Sequence, residues 1–116
     1  MKFKLIVALV PDDETELVLQ TAREAGATGS TVITSARGEG LKPAKTFFGL
    51  DLEGTRDMVL LLVEGHLSRA ILEHIAGACH FDDTPGTGIA FQVDIEDAVG
   101  LTSQIGTISE EIEEKL

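Results

Sequence analysis

The residues whose types most suggest chemistry form a glycine-rich turn late in the chain, Gly86-Thr87-Gly88. Glycine lets the backbone approach a ligand closely, and successive backbone N–H groups in such a turn can hold an anion, above all a phosphate. The same residues also fit an ordinary tight turn leading into a strand. The turn is therefore a candidate phosphate cradle, and a purely structural turn is the alternative.

The histidines, the single cysteine and the neighbouring acids give no recognisable metal or catalytic motif. Cys79 and His80 are adjacent, so they point apart on a helix, and the sequence has no C-x-x-C or H-x-x-x-H pairing. It also lacks a Walker lysine motif and a Ser/His/Asp order. We therefore expect no metal site, no catalytic residue and no enzymatic activity. The residues weighed for a metal site are His66, His74, Cys79, His80, Asp82 and Asp83.

Composition limits the class of protein. The chain has 116 residues, 20 acids against 9 bases and a formal net charge of -11, which opposes binding to nucleic acid or anionic lipid. Its 43% hydrophobic content is that of a globular domain, so we expect one domain over 1–116. No apolar run approaches the roughly 20 residues that span a bilayer. A single cysteine fits a reducing compartment, which predicts a cytoplasmic protein without membrane insertion.

The first third of the chain predicts a strand, a helix and a strand. Residues 3–10 are almost all apolar, as in a buried central strand. Apolar residues at helical spacing over 14–25 predict an amphipathic helix, with a capping box beginning at Asp13 and Gly26 as its C-terminal cap. Residues 30–36 alternate and are rich in β-branched side chains, which predicts a second strand.

A long irregular segment, 37–57, separates this half from the next. Such loops in compact domains are usually functional or disordered, so we predict a flexible effector loop, with a surface insertion as the alternative. Beyond it, residues 58–63 predict a strand, 68–78 a helix and 89–95 an alternating strand. Residues 107–116 predict an acidic C-terminal tail or short helix.

This order of elements predicts an α+β fold of the ferredoxin-like βαββαβ type. Its four-stranded antiparallel sheet carries both helices on one face. The strands are apolar enough that the second face should also be buried. Because no helix remains to cover that face, self-association should cover it.

Three segments resemble the PII nitrogen-regulatory signalling family, over roughly residues 1–102. Gly26-Ala27-Thr28-Gly29-Ser30-Thr31-Val32 resembles the family's junction between its first helix and second strand. Residues 37–57 lie where the family has its long T-loop. Residues 86–91, followed by 95–99, resemble the family's B-loop and the strand after it.

The resemblance implies a regulatory homotrimer with an adenine nucleotide (AMP, ADP or ATP) between subunits, accompanied by Mg²⁺ or a small anion in some members. It implies that the 37–57 loop contacts a protein target, a transporter or a metabolic enzyme. On this reading Gly88→Val abolishes nucleotide binding and leaves the trimer intact. The residues implied to approach the nucleotide are Thr28, Gly29, Gly38, Gly40, Gly86, Thr87 and Gly88.

The chain departs from the family where cations usually clamp phosphates. Ile89 stands where the B-loop usually has lysine, and residues 100–104 read GLTSQ where the family has R-I-R-T-G. Arg37, Lys42, Lys45 and Arg56, in and around the loop, could supply cations instead, and a nucleotide with one or two phosphates would need fewer of them. The alternative is a CutA-like trimeric metal-tolerance or structural protein that binds no nucleotide.

Overall fold

A computed structural model describes residues 2–36, 46–47, 50–51, 55–84 and 86–100. Its elements confirm the predicted α+β fold, and a single 3-10 turn, Asp12–Glu14, follows the first strand. The elements in chain order are β1 (Phe3–Pro11), α1 (Thr15–Glu24), β2 (Thr31–Ala36), β3 (Thr46–Phe47), β4 (Leu50–Asp51), β5 (Arg56–Glu64), α2 (Gly65–Cys79) and β6 (Ile89–Asp94).

The main sheet has four antiparallel strands in the order β2-β5-β1-β6, as the ferredoxin-like prediction requires. β1 and β5 pair along their whole length, from Phe3 opposite Glu64 to Pro11 opposite Arg56. β6 pairs with the other side of β1. β2 and β6 are therefore the two edge strands, and β5 and β1 lie between them.

The hydrophobic core lies between this sheet and the two helices. Alternate residues of each strand point to the helices, because successive side chains in a strand point to opposite faces. Each large apolar side chain buried there contributes roughly 1.5–3 kcal/mol. The core side chains that are almost fully buried include Ile6, Val10, Val18, Ala22, Val59, Leu61, Ile71 and Ile75.

The opposite face of the sheet, which we call the open face, is also apolar. In register across the sheet, Leu5, Val7 and Leu9 of β1 align with residues of β5 and of β6. These neighbours are Leu62, Leu60 and Met58 on β5 and Val93, Phe91 and Ile89 on β6. Phe91 and Val93 keep 45% and 42% of their surface exposed. A contiguous apolar surface of this kind marks an association site in a folded protein.

The start of α1 differs from the predicted capping box. Its N-cap is Glu14, with no side-chain capping hydrogen bond, because Asp12–Glu14 form a 3-10 turn instead. The end of the helix is as predicted. Gly26 adopts φ +116, a left-handed conformation that favours glycine, and its N–H donates to the Arg23 carbonyl at 3.1 Å.

α2 begins at Gly65, three residues before its predicted start. β5 leads directly into it, and the Gly65 N–H donates to the Lys2 carbonyl at 2.8 Å. A side chain at this position would meet that carbonyl, since a Cβ atom there would lie 3.1 Å from the Lys2 oxygen. The apolar periodicity begins later, so the sequence pattern did not show this first turn.

The segment predicted as a loop, 37–57, contains regular structure. Arg56 and Asp57 already belong to β5. Within the segment, β3 and β4 pair in antiparallel fashion, with Thr46 opposite Asp51. The flexibility predicted for the remainder, and the predicted helix or tail over 107–116, lie outside the described residues.

Candidate functional site

The glycine turn 86–88 has an unusual backbone that the chain itself stabilises. Gly86 and Gly88 adopt φ +82 and +148, conformations open mainly to glycine. Between them, the Thr87 hydroxyl lies 2.8 Å from the Thr84 carbonyl and 3.0 Å from the His80 carbonyl. The threonine side chain therefore ties the turn back to the end of α2.

Three backbone donors of this turn are available to a ligand. Within the described part of the chain, the N–H groups of Gly86, Thr87 and Gly88 donate no hydrogen bond. Consecutive N–H groups beside a residue of positive φ form the concave arrangement that binds anions in many proteins. This geometry supports the predicted phosphate cradle.

Gly88 has a structural reason of its own to be glycine. A Cβ atom there would lie 2.5 Å from Cε1 of Phe81 and 3.0 Å from the carbonyl oxygen of Leu9. The approach to Phe81 is closer than real Cβ atoms show, and the approach to the Leu9 oxygen is tighter than most of their contacts. The expected Gly88→Val test would therefore disturb the packing of the turn itself and could not report on a ligand alone.

A cleft beside the turn, the α2 cleft, lies between α2 and the start of β6. Its volume is about 250 Å³, and Phe81, Gly88 and Ile89 line part of it. The cation of this cleft, Arg69, is already paired, because its Nε lies 2.7 Å from Oε1 of Glu73. The cleft therefore offers apolar surface with little free positive charge.

Two further predicted residues, Thr28 and Gly29, line a separate cleft, the β2-edge cleft, of about 360 Å³. The same wall also contains Arg23, Ser30 and Leu61. Gly29 is exposed, and a Cβ atom there would meet nothing within 4 Å. The fold of the chain therefore does not itself require glycine at position 29.

One chain does not bring the predicted site residues together. Thr28 and Gly29 lead into β2, whereas residues 86–88 lead into β6, and these are the two edge strands. With about 4.8 Å between neighbouring strands, the two edges are roughly 14 Å apart. The two groups therefore do not form a single site within one chain. Gly38 and Gly40 lie outside the described residues.

Sequence reasoning missed a buried polar contact at the end of the 37–57 segment. The Thr15 hydroxyl donates a 2.6 Å hydrogen bond to Oδ2 of Asp57, and both residues are buried. The backbone N–H of Asp12 also donates to the Thr55 carbonyl, at 3.3 Å. The sequence did hold a signal for this contact: the charged pair Arg56-Asp57 comes directly before an apolar strand. Charged side chains that become buried at such a position need polar partners.

The surroundings of Cys79 do not favour a reactive thiol. Burial raises the pKa of its thiol, and the negative charge of Glu14 adds to that shift. A thiol in this state is a poor nucleophile at neutral pH, since the thiolate is the reactive form. It lies with the core residues and behaves as a small apolar group.

The described part of the chain shows neither a cluster of metal ligands nor a helix suited to a bilayer. No group of three or more His, Cys, Asp or Glu residues in it could hold a metal ion. None of its helices combines the length and the apolar character needed to cross a bilayer.

Comparisons with solved structures show the same fold in PII-like proteins. CPII from Thiomonas intermedia, bound to ADP, AMP and acetate, matches with TM-score 0.65 and 20% identity, over 84% of this chain and 89% of that chain. CPII bound to ADP and bicarbonate matches with TM-score 0.62 and 20% identity, over 82% and 87%. A putative PII-like signalling protein from Thermus thermophilus gives 0.61 and 21%, over 82% and 88%.

A search of curated proteins gives no match. The comparison with protein families, in contrast, agrees with the solved structures. The family model described as nitrogen regulatory protein P-II matches residues 3–104. That range includes both groups of predicted site residues, and the proteins of this family are regulators rather than enzymes. The chain therefore belongs to the nitrogen regulatory protein P-II family.

Proposed function

We propose that this chain is a PII-like regulator that forms a homotrimer and binds an adenine nucleotide between its subunits. The bound nucleotide sets the conformation of the 37–57 loop, and the loop regulates a transporter or a metabolic enzyme. The whole chain, 1–116, acts as one domain in this proposal.

One observation carries the nucleotide site. The two groups of site residues lie at opposite edges of the sheet, and the Gly86, Thr87 and Gly88 N–H groups have no partner among the described residues. Side-by-side association of copies would place the β2 edge of one subunit against the β6 edge of the next. Each boundary would then hold one complete site.

The open face supports the assembly. It presents apolar side chains from β1, β5 and β6, while both helices lie on the other face. Burying apolar surface contributes about 25 cal/mol per Å², so a sheet face of this kind is a strong site for self-association. A cyclic trimer turns three such faces toward one another and leaves none exposed.

The choice of ligand is supported by the structures that share the fold. CPII has been captured with ADP, AMP and acetate, and with ADP and bicarbonate. We extend an adenine nucleotide, with a small anion beside it, to this chain because the same fold here carries a turn suited to phosphate.

The sheet supports communication between the turn and the loop. Ile89, the residue after the turn, aligns across the sheet with Leu9, and Leu9 aligns with Met58, which pairs with Ile33. The turn therefore lies at the same end of the sheet as the two points where the 37–57 segment leaves β2 and enters β5. A nucleotide held there would lie near the base of the loop.

A steric block at Gly29 tests the site without disturbing the fold. We expect AMP and ADP to bind the wild-type protein in calorimetry, and Gly29→Leu to lose that binding, because a side chain there enters the open space that the proposal gives to the nucleotide and the neighbouring subunit. Gly77→Leu is the matched control, since Gly77 is also exposed with nothing within 4 Å of its Cβ position.

The outcomes distinguish a nucleotide site at the subunit boundary from a structural trimer that binds no nucleotide. Loss in Gly29→Leu alone supports a nucleotide at the subunit boundary. Equal affinity in wild type and Gly29→Leu would place any nucleotide elsewhere. No binding of either nucleotide to the wild-type protein would leave a structural trimer and end the proposal.

A further inference from the structure

We propose that the nucleotide site at the glycine turn, beside the α2 cleft, selects nucleotides by their number of phosphates. The affinity falls in the order AMP, ADP, ATP. This inference rests on the proposed function and adds the class of ligand that the site takes: a nucleoside monophosphate. It follows from the donors and charges around the glycine turn.

The turn has donors for one phosphate group. The available backbone donors are the N–H groups of Gly86, Thr87 and Gly88. The Thr87 hydroxyl adds nothing, because its one hydrogen is directed to the carbonyls of Thr84 and His80. These three successive donors converge on one phosphate group, and a second or third phosphate would lie beyond them.

The charges around the turn oppose further phosphates. Asp82 lines the α2 cleft together with Gly88, and Asp83 is its neighbour; both are exposed. His80 lies 3.8 Å from Asp83, and Arg69 is held by Glu73 at 2.7 Å. The residue that follows the turn is Ile89, so the described residues of the α2 cleft offer no unpaired cation to a second phosphate. The β2-edge cleft, which the proposed boundary brings opposite, contributes Arg23, whose single charge does not balance two further phosphates.

Each added phosphate brings about one more negative charge toward these carboxylates, and repulsion between exposed charges is felt within about 10 Å at moderate salt. We expect ATP without Mg²⁺ to bind about tenfold more weakly than AMP at low ionic strength. The difference should shrink as salt is added, because salt screens the repulsion.

The experiment is calorimetry of the full chain with AMP, ADP and ATP in EDTA at low salt. The test variant is Asp82→Asn/Asp83→Asn, which removes two charges beside the turn and keeps the side-chain size. The matched control is Glu96→Gln/Asp97→Asn, which removes two exposed charges beyond the far end of β6. Melting temperatures verify that both variants are folded.

The inference predicts the order AMP, ADP, ATP for the wild type and the control. It predicts that Asp82→Asn/Asp83→Asn narrows the gap between AMP and ATP at least threefold. Tighter binding of ATP than of AMP would overturn it and indicate that cations from elsewhere in the assembly reach the phosphates. An unchanged gap in the test variant would also overturn it. Absence of binding by all three nucleotides would instead contradict the proposed function.

Discussion

At the scale of single residues, Gly88 serves the fold before it serves any ligand. Its Cβ position is occupied by the Phe81 ring, and its φ of +148 lies in a region where side chains are strained. The sequence pattern predicted a glycine-rich turn, but it could not distinguish a glycine needed for a ligand from one needed by Phe81. That distinction depends on a contact between residues seven positions apart.

We predict that Gly88→Ala lowers the free energy of unfolding by about 1–3 kcal/mol, because the new Cβ atom collides with Phe81 and the backbone is strained. Chemical denaturation measures the effect. Gly77→Ala is the control: its position in α2 is open, so it should stabilise the protein by about 0.5–1 kcal/mol through helix propensity. Equal stability of Gly88→Ala and wild type would contradict the packing described here.

A second prediction at the residue scale concerns Cys79 and the pH dependence of the protein's stability. Because burial raises its pKa in the folded state, the unfolded chain loses the thiol proton first as the pH rises. Stability should therefore fall as the pH climbs past the ordinary thiol pKa of about 8.5, and not below it. Melting curves from pH 7 to pH 10 measure this loss. Cys79→Ala should reduce the alkaline slope, and an identical slope in both proteins would refute the assignment.

At the scale of elements, the periodicity of the sequence predicted the strands and helices, whereas it missed how they join. The start of α1 is an example: the acids at 12–14 suggested a side-chain cap, but they form a 3-10 turn. The polar contact at this point, from Thr15, goes to Asp57 on β5, 42 residues away. Local spacing carries no information about such a partner.

We predict that Thr15→Val destabilises the protein by roughly 1–3 kcal/mol, since it leaves the buried Asp57 carboxylate without this donor. A double-mutant cycle with Asp57→Asn measures the coupling by chemical denaturation. The control is Thr34→Val, an exposed threonine of β2, which should change stability little. Additive effects of Thr15→Val and Asp57→Asn would show that the two side chains do not interact.

At the scale of the whole molecule, the apolar character of both sheet faces could be predicted from the strands themselves. With the two helices placed on one face, the sequence already indicated that the second face needs a partner. The separation of the site residues between opposite edges follows from the strand order that the ferredoxin-like prediction already implied. The pairing of β1 with β5 and β6, and of β2 with β5, confirms that order, whereas the clefts at each edge depend on side-chain packing that the sequence pattern does not give.

We predict that Phe91→Glu dissociates the assembly, because it places a charge among the exposed apolar side chains of the open face. Light scattering after size exclusion should give a trimer for the wild type and a monomer for the variant. Leu17→Glu is the control, since Leu17 is also a partly exposed apolar residue, at 39%, but lies on α1. A trimeric Phe91→Glu protein would show that the open face is not the interface.

The central claim is that a nucleotide site exists only between subunits, and one titration tests it directly. Calorimetry with AMP compares the wild-type protein, the Leu17→Glu control and the dissociated Phe91→Glu variant at equal chain concentration. The account predicts binding to the first two, with one nucleotide per chain, and no measurable heat with the monomer. A folded Phe91→Glu monomer that binds AMP as tightly as the wild type would contradict it.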